Sequence, residues 1–141
     1  MKDDEFSKQI REAFVSEGGE LVRSMAAGLS ELAQEPAPAR RMEVVETISR
    51  DAHSLRGAAA VVGVAARSEI DSLCQELGNI FRQWKTSGVT AVPEAFGPLH
   101  RAVDLLGYLV RQTSAGMDPA DQMNVSRILH ELVAMSSSSR Q

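Results

Sequence analysis

The sequence predicts an all-α protein, an antiparallel four-helix bundle with an additional C-terminal helix. Three observations lead there. Apolar residues recur every three or four positions in five successive segments, and no segment alternates apolar and polar residues over a strand's length. Aromatics are only 4% of the 141 residues, so Ala, Leu, Val, Ile and Met must build the core. At roughly 100–200 residues per domain the chain is one domain, with room for a core but not for a separate nucleotide-binding lobe beside it.

The first segment, 3–35, spaces Phe6, Ile10, Phe14, Leu21, Met25, Leu29 and Leu32 along one helical stripe. Gly18 and Gly19 interrupt it. Adjacent glycines cost roughly 1 kcal/mol each inside a helix, so a bend or a division into two helices is expected there. Glu35-Pro-Ala-Pro-Ala39 then ends the helix. The second segment, 40–62, carries Val45, Ile48, Ala52, Leu55, Ala59 and Val62, and Gly63 stops it. The third, 67–85, carries Ile70, Leu73, Cys74, Leu77, Phe81 and Trp84, with Ser68 read as its N-cap and 86–90 as the loop after it. The fourth, 94–112, follows Pro93 and carries Phe96, Leu99, Val103, Leu106 and Val110. The fifth, 118–135, opens on Asp118 as N-cap with Pro119 at the first helical position, and its stripe is Val125, Ile128, Leu129 and Leu132. One domain over 1–135 is therefore expected, with 136–141 a disordered tail or the start of a linker.

The net charge of −4 is unevenly placed: residues 1–35 hold eight acids and four bases, leaving 11 of each for the remainder. A neutral body with an acidic first segment is a poor footprint for nucleic acid, and no Lys/Arg cluster is present to bind an anionic membrane. The single cysteine, Cys74, cannot form an internal disulfide and suits a reducing compartment. The opening Met-Lys-Asp-Asp-Glu is not a secretory signal, and the longest apolar run, 57–66, is too short to span a bilayer. A cytoplasmic location is expected, with neither nucleic acid nor membrane as partner.

Phosphate-binding, dinucleotide-binding and metalloprotease motifs are absent, and three histidines on three different segments with one cysteine do not make a metal site. His53 stands apart because it lies off the apolar stripe. At 100° per residue, the centre of Ile48, Ala52, Leu55 and Ala59 is about 130° away from it. The imidazole is therefore exposed, above small neighbours one and two turns off: Ser49, Gly57 and Ala60. Taken alone, that is an ordinary surface histidine beside a small Gly and Ala suited to helix packing.

Residues 53–63 read His-Ser-Leu-Arg-Gly-Ala-Ala-Ala-Val-Val-Gly, the pattern H-x-L-[KR]-G-x-A-x-x-x-G. This resembles the phosphoacceptor motif of histidine phosphotransfer domains. An acidic first helix, a Pro-rich linker, the His helix, a facing helix, a fourth helix and an extra C-terminal helix are similar in layout to the N-terminal phosphotransfer domain of chemotaxis histidine kinases. The resemblance implies that His53 is the phosphoacceptor, that Arg56 is the charge partner of the phosphoryl group in place of the family's usual Lys, and that Ser49, Gly57 and Ala60 form the docking surface for a receiver.

It also implies a residue on the facing helix that orients the imidazole. Carried over without gaps this is Gln75, where chemotaxis kinases have a carboxylate and phosphorelay domains a glutamine. Arg67 occupies a place where the family usually has an apolar residue, so the register of the facing helix rests on that ungapped transfer. Implied partners are a response-regulator receiver domain and a histidine kinase catalytic domain. No cofactor belongs to this chain: Mg²⁺ and ATP belong to the partner domains, and no ATP-dependent activity is expected from it alone. The rival from another class is a helical interaction module whose histidine is not phosphorylated.

Overall fold

A computed structural model describes residues 2–87, 93–112 and 118–139. Five helices follow one another: α1 (Lys2–Leu32), α2 (Pro38–Val62), α3 (Arg67–Ser87), α4 (Pro93–Arg111) and α5 (Pro119–Ser139). α1 packs on α2 and α4, α2 packs on α3, and α5 lies against both α3 and α4 along the side of the bundle. Cross-links fix the directions. A Cβ added at Gly28 would meet Ile48, and one at Gly18 would meet Leu55, so α1 and α2 run antiparallel. The pairs Arg101–Glu131 and Tyr108–Asp121 do the same for α4 and α5. The core is aliphatic, as the composition requires, with Phe14, Phe81 and Trp84 among its few aromatic members.

Several expectations are corrected. α1 runs unbroken through Gly18 and Gly19. A Cβ at Gly18 would stand 3.0 Å from Val110, so the lost helix propensity is offset by close approach to α4. α1 also ends three residues early, at Leu32, with Glu35 in the left-handed region at φ 53°. Phe6, on the expected stripe, is 65% exposed, and Phe14 is the first fully buried α1 side chain after it. The contacts of Gly18 with Leu55 and Val110, carried back along α1, explain this: α2 and α4 end before its first turns, which then have no neighbour among the described residues.

Pro38 opens α2 instead of lying in the linker, at a position where its missing N–H costs nothing. Gly63 closes α2 at φ 69°, its N–H donating to the Ala59 carbonyl. Arg40 staples the α1–α2 turn with two hydrogen bonds to Glu31, at 2.5 and 2.8 Å. Ser68 lies inside α3, which starts at Arg67, so it is not the N-cap. Thr86 and Ser87 continue that helix, and the rest of the expected loop, 88–90, lies outside the described residues.

Asp118 caps α5 as expected, accepting from the Asp121 N–H at 2.8 Å. The helix then runs on to Ser139, where a disordered tail was expected from 136. Ser136 is buried, and Gln83 Nε2 donates to its hydroxyl at 3.0 Å. Residues 140 and 141 lie outside the described residues. Among the described residues no helix is long and apolar enough to cross a membrane.

Candidate functional site

The site is built on the outer side of the α2–α3 pair. Ala52 and Leu55 are buried while His53 is exposed, because the inward stripe of α2 turns His53 away from the core. Beside it runs a groove of about 520 Å³. α2 lines it with Ser49, Ala52, His53 and Arg56; α3 lines it with Cys74, Gln75, Gly78, Asn79, Arg82 and Lys85.

Two ion pairs across α2 and α3 set the register. Arg56 Nε donates to Asp71 Oδ1 on one side of His53, and Lys85 pairs with Glu46 at 2.7 Å on the other. Between these rungs His53 comes opposite the turn that carries Gln75, so the ungapped transfer to Gln75 lands in the same groove as the imidazole. Arg67 does not disturb this, since it is exposed at the very start of α3 while Val64 and Ala66 beside it are buried. Among the described residues neither His53 nor Gln75 makes a side-chain hydrogen bond, so the two face a common space without being joined.

Of the expected docking residues, Ser49 lines the groove and is half-buried, whereas Gly57 and Ala60 lie outside it on exposed turns of α2. Among the described residues a Cβ at Gly57 would meet nothing within 4 Å, so no described helix approaches it and its role in helix packing falls away. The open space lies one turn from His53, available to something outside the chain.

Cys74 forms the floor of the groove. Burial, with the nearby Asp71 charge, pushes its thiol up to about 12, and Arg56 opposes this. It is therefore a neutral packing residue and not a nucleophile. Glu46 is held below the usual carboxylate range by its hydrogen bond from Lys85. Among the described residues no group of three His, Cys, Asp or Glu could hold a metal ion.

Sequence reasoning missed Asp71 and Arg82. Both lie on the Gln75 face of α3, four residues before it and seven after, and that spacing was the available signal. Arg82 reaches back over Gly78, where a Cβ would stand 3.7 Å from its Nη2. The groove beside the histidine thus carries three cationic side chains, Arg56, Arg82 and Lys85, on a chain of net charge −4.

A family model of the Hpt domain matches residues 9–111, from α1 to the end of α4. The chain belongs to the histidine phosphotransfer (Hpt) domain family. Among solved structures the Hpt domain described here is similar to the phosphorylated P1 domain of CheA3 in complex with CheY6 from R. sphaeroides, at a TM-score of 0.70 and 18% identity over 90% of this chain and 98% of that one. At that identity the likeness is one of fold, and at 90% of this chain it extends beyond the family match. No curated protein matches this chain in sequence.

Proposed function

We propose that His53 accepts a phosphoryl group at Nε2, from a histidine kinase catalytic domain or a phosphorylated receiver, and passes it to an aspartate of a response-regulator receiver domain. The observation that carries this reading is the placement of His53: exposed, within the family's motif, beside a groove rich in cations and one turn from the open space at Gly57. That a P1 domain of this fold is phosphorylated and binds CheY6 supports a receiver as partner.

The chemistry needs little from this chain. The neutral imidazole attacks phosphorus with its Nε2 lone pair while Nδ1 keeps its proton; the P–O bond to the donor breaks, and ADP or the donor receiver's aspartate carboxylate leaves with the electron pair. In the onward step a receiver carboxylate attacks phosphorus, the P–N bond breaks, and its electron pair returns to Nε2, so that neutral imidazole leaves. Gln75 serves both steps by accepting from Nδ1–H through its amide oxygen after a rotation into hydrogen-bonding distance. Arg56 supplies fixed positive charge to the phosphoryl oxygens. Ser49, Gly57 and Ala60 leave room for the partner. Mg²⁺ and ATP enter with the partner domains, which hold most of the transition-state stabilisation. Of the two settings, a domain of a chemotaxis-type kinase and a free-standing phosphorelay protein, the five-helix layout favours the first and Gln75 the second; we favour the first.

Replacing His53 by Gln tests the assignment. Phosphoryl uptake from a partner kinase is expected to disappear while the helical circular dichroism and receiver binding persist. Undiminished labelling of the variant would sink the role of His53 and turn attention to His100. A wild-type chain that binds receivers but takes no label from any kinase would favour the unphosphorylated interaction module.

A further inference from the structure

We propose that Asp71 is a positioning residue for phosphoryl transfer, acting through Arg56; the inference rests on His53 being the phosphoacceptor. α2 places His53 and Arg56 one turn apart, and α3 places Asp71 and Gln75 one turn apart, so the four side chains form two rungs across the helix pair. One rung is a formed ion pair in which Arg56 donates to Asp71 through Nε. A guanidinium has five N–H groups in a rigid plane. Asp71 takes the one on Nε, and among the described residues no second acceptor holds Arg56. The four N–H groups on Nη1 and Nη2 therefore stay available in the groove that His53 also lines.

Asp71 fixes the plane of the fork, and the fork then presents its remaining donors to the phosphoryl oxygens. A lysine at position 56 would carry its three rotatable donors on one nitrogen and has no rigid plane for Asp71 to fix. Arg56 and Asp71 thus operate as a unit. The pair is partly exposed, at 40% and 43% for the two side chains, so it is worth little to folding and its removal leaves the helices intact.

The test uses the full 141-residue chain and potassium phosphoramidate as phosphoryl donor. Nε2 of His53 attacks phosphorus, the P–N bond of the donor breaks, and ammonia leaves with the proton that the donor nitrogen carries. Labelling at His53 is located by mass spectrometry, its rate followed by ³¹P NMR, and folding checked by circular dichroism. Asp71→Ala is expected to slow labelling by about fivefold and to move the phosphohistidine ³¹P resonance. Asp71→Asn, which keeps an acceptor oxygen for Nε, is expected to restore most of the rate. In an Arg56→Lys background Asp71→Ala should change nothing further.

Three results would overturn the proposal: a wild-type rate in Asp71→Ala, a faster rate in that variant (the carboxylate would then be a competitor of the phosphoryl group), or an equal loss with Lys at position 56. A wild-type chain that takes no label at His53 would remove the underlying phosphoacceptor reading instead.

Discussion

The same substitution, glycine to alanine, is expected to act with opposite sign at two positions, and the pair tests whether the His53 side of α2 is built for something outside the chain. At Gly57, inside α2, a Cβ meets nothing within 4 Å. Replacing glycine by alanine in a helix interior gains about 0.8–1 kcal/mol with no steric term to offset it. For a domain of this size that raises Tm by about 3 °C. At Gly28, a Cβ would stand 2.8 Å from Ile48 Cγ1 and 2.9 Å from its Cδ1, and Ile48 is fully buried. Forcing a methyl into a packed core costs about 1–3 kcal/mol, which cancels or exceeds the propensity gain, so Gly28→Ala lowers Tm.

Gly57→Leu completes the series, since its side chain enters open solvent beside the imidazole. It should raise Tm nearly as much as Gly57→Ala and lose phosphotransfer to a receiver by about tenfold or more, because the partner must occupy the same space. Thermal unfolding by circular dichroism and a transfer assay on the same preparations measure both effects. A drop in Tm for Gly57→Ala would mean that a neighbouring helix does close on α2 there. Wild-type transfer by a folded Gly57→Leu variant would refute the docking surface.

Three further outcomes follow from individual contacts. Gln75→Glu puts a carboxylate across from the imidazole and favours its charged form, so the acid limb of the phosphorylation pH profile should move up by roughly one pH unit; an unmoved profile would show that position 75 does not face the ring. Ser136→Ala removes the acceptor of the Gln83 hydrogen bond and should cost about 1 kcal/mol in urea unfolding, whereas a tail disordered from 136 would make it silent. Asp51, on the α1 side of α2, has its carboxyl raised by desolvation against a hydrogen bond with Ser24, and its Oδ2 is buried without a partner. A raised carboxyl binds more protons folded than unfolded, so it takes stability away as pH rises through its titration. Asp51→Asn should therefore raise Tm at pH 7 and lose that advantage below about pH 4, and a gain independent of pH would contradict the cause.

The helices were legible because a 3.6-residue period survives in Ile48–Ala52–Leu55–Ala59 and its counterparts whatever the partner is. What periodicity cannot supply is the neighbour. Phe6 has the right spacing and stays exposed, because the helices flanking α1 stop short of it. Gly18-Gly19 reads as a break and is instead a point of close approach to Val110, which another helix supplies. The serines after Met135 read as tail until Gln83, 53 residues earlier, is seen to bind the first of them. In each case the presence or the lack of a contact distant in sequence overrode a local preference.

The site divides along the same line. His53, Arg56 and Gly57 lie within one turn or so of each other, so their pattern is local and was readable. Gln75 was reachable only by carrying a spacing across a loop, and the cross-helix pairs at Asp71 and Lys85 bring it to the histidine's groove. Asp71 itself had no signal beyond its place one turn before Gln75, since an acid on an exposed helix face is usually solvated. Its partner is what gives it meaning, and that partner is a residue of the phosphoacceptor motif. The acidity legible in the first 35 residues belongs mostly to α1, which packs on α2 and α4 and not on α3. A chain of net negative charge can therefore keep cations around the one group that would carry a dianion, because the helix bearing the surplus acids does not line the groove.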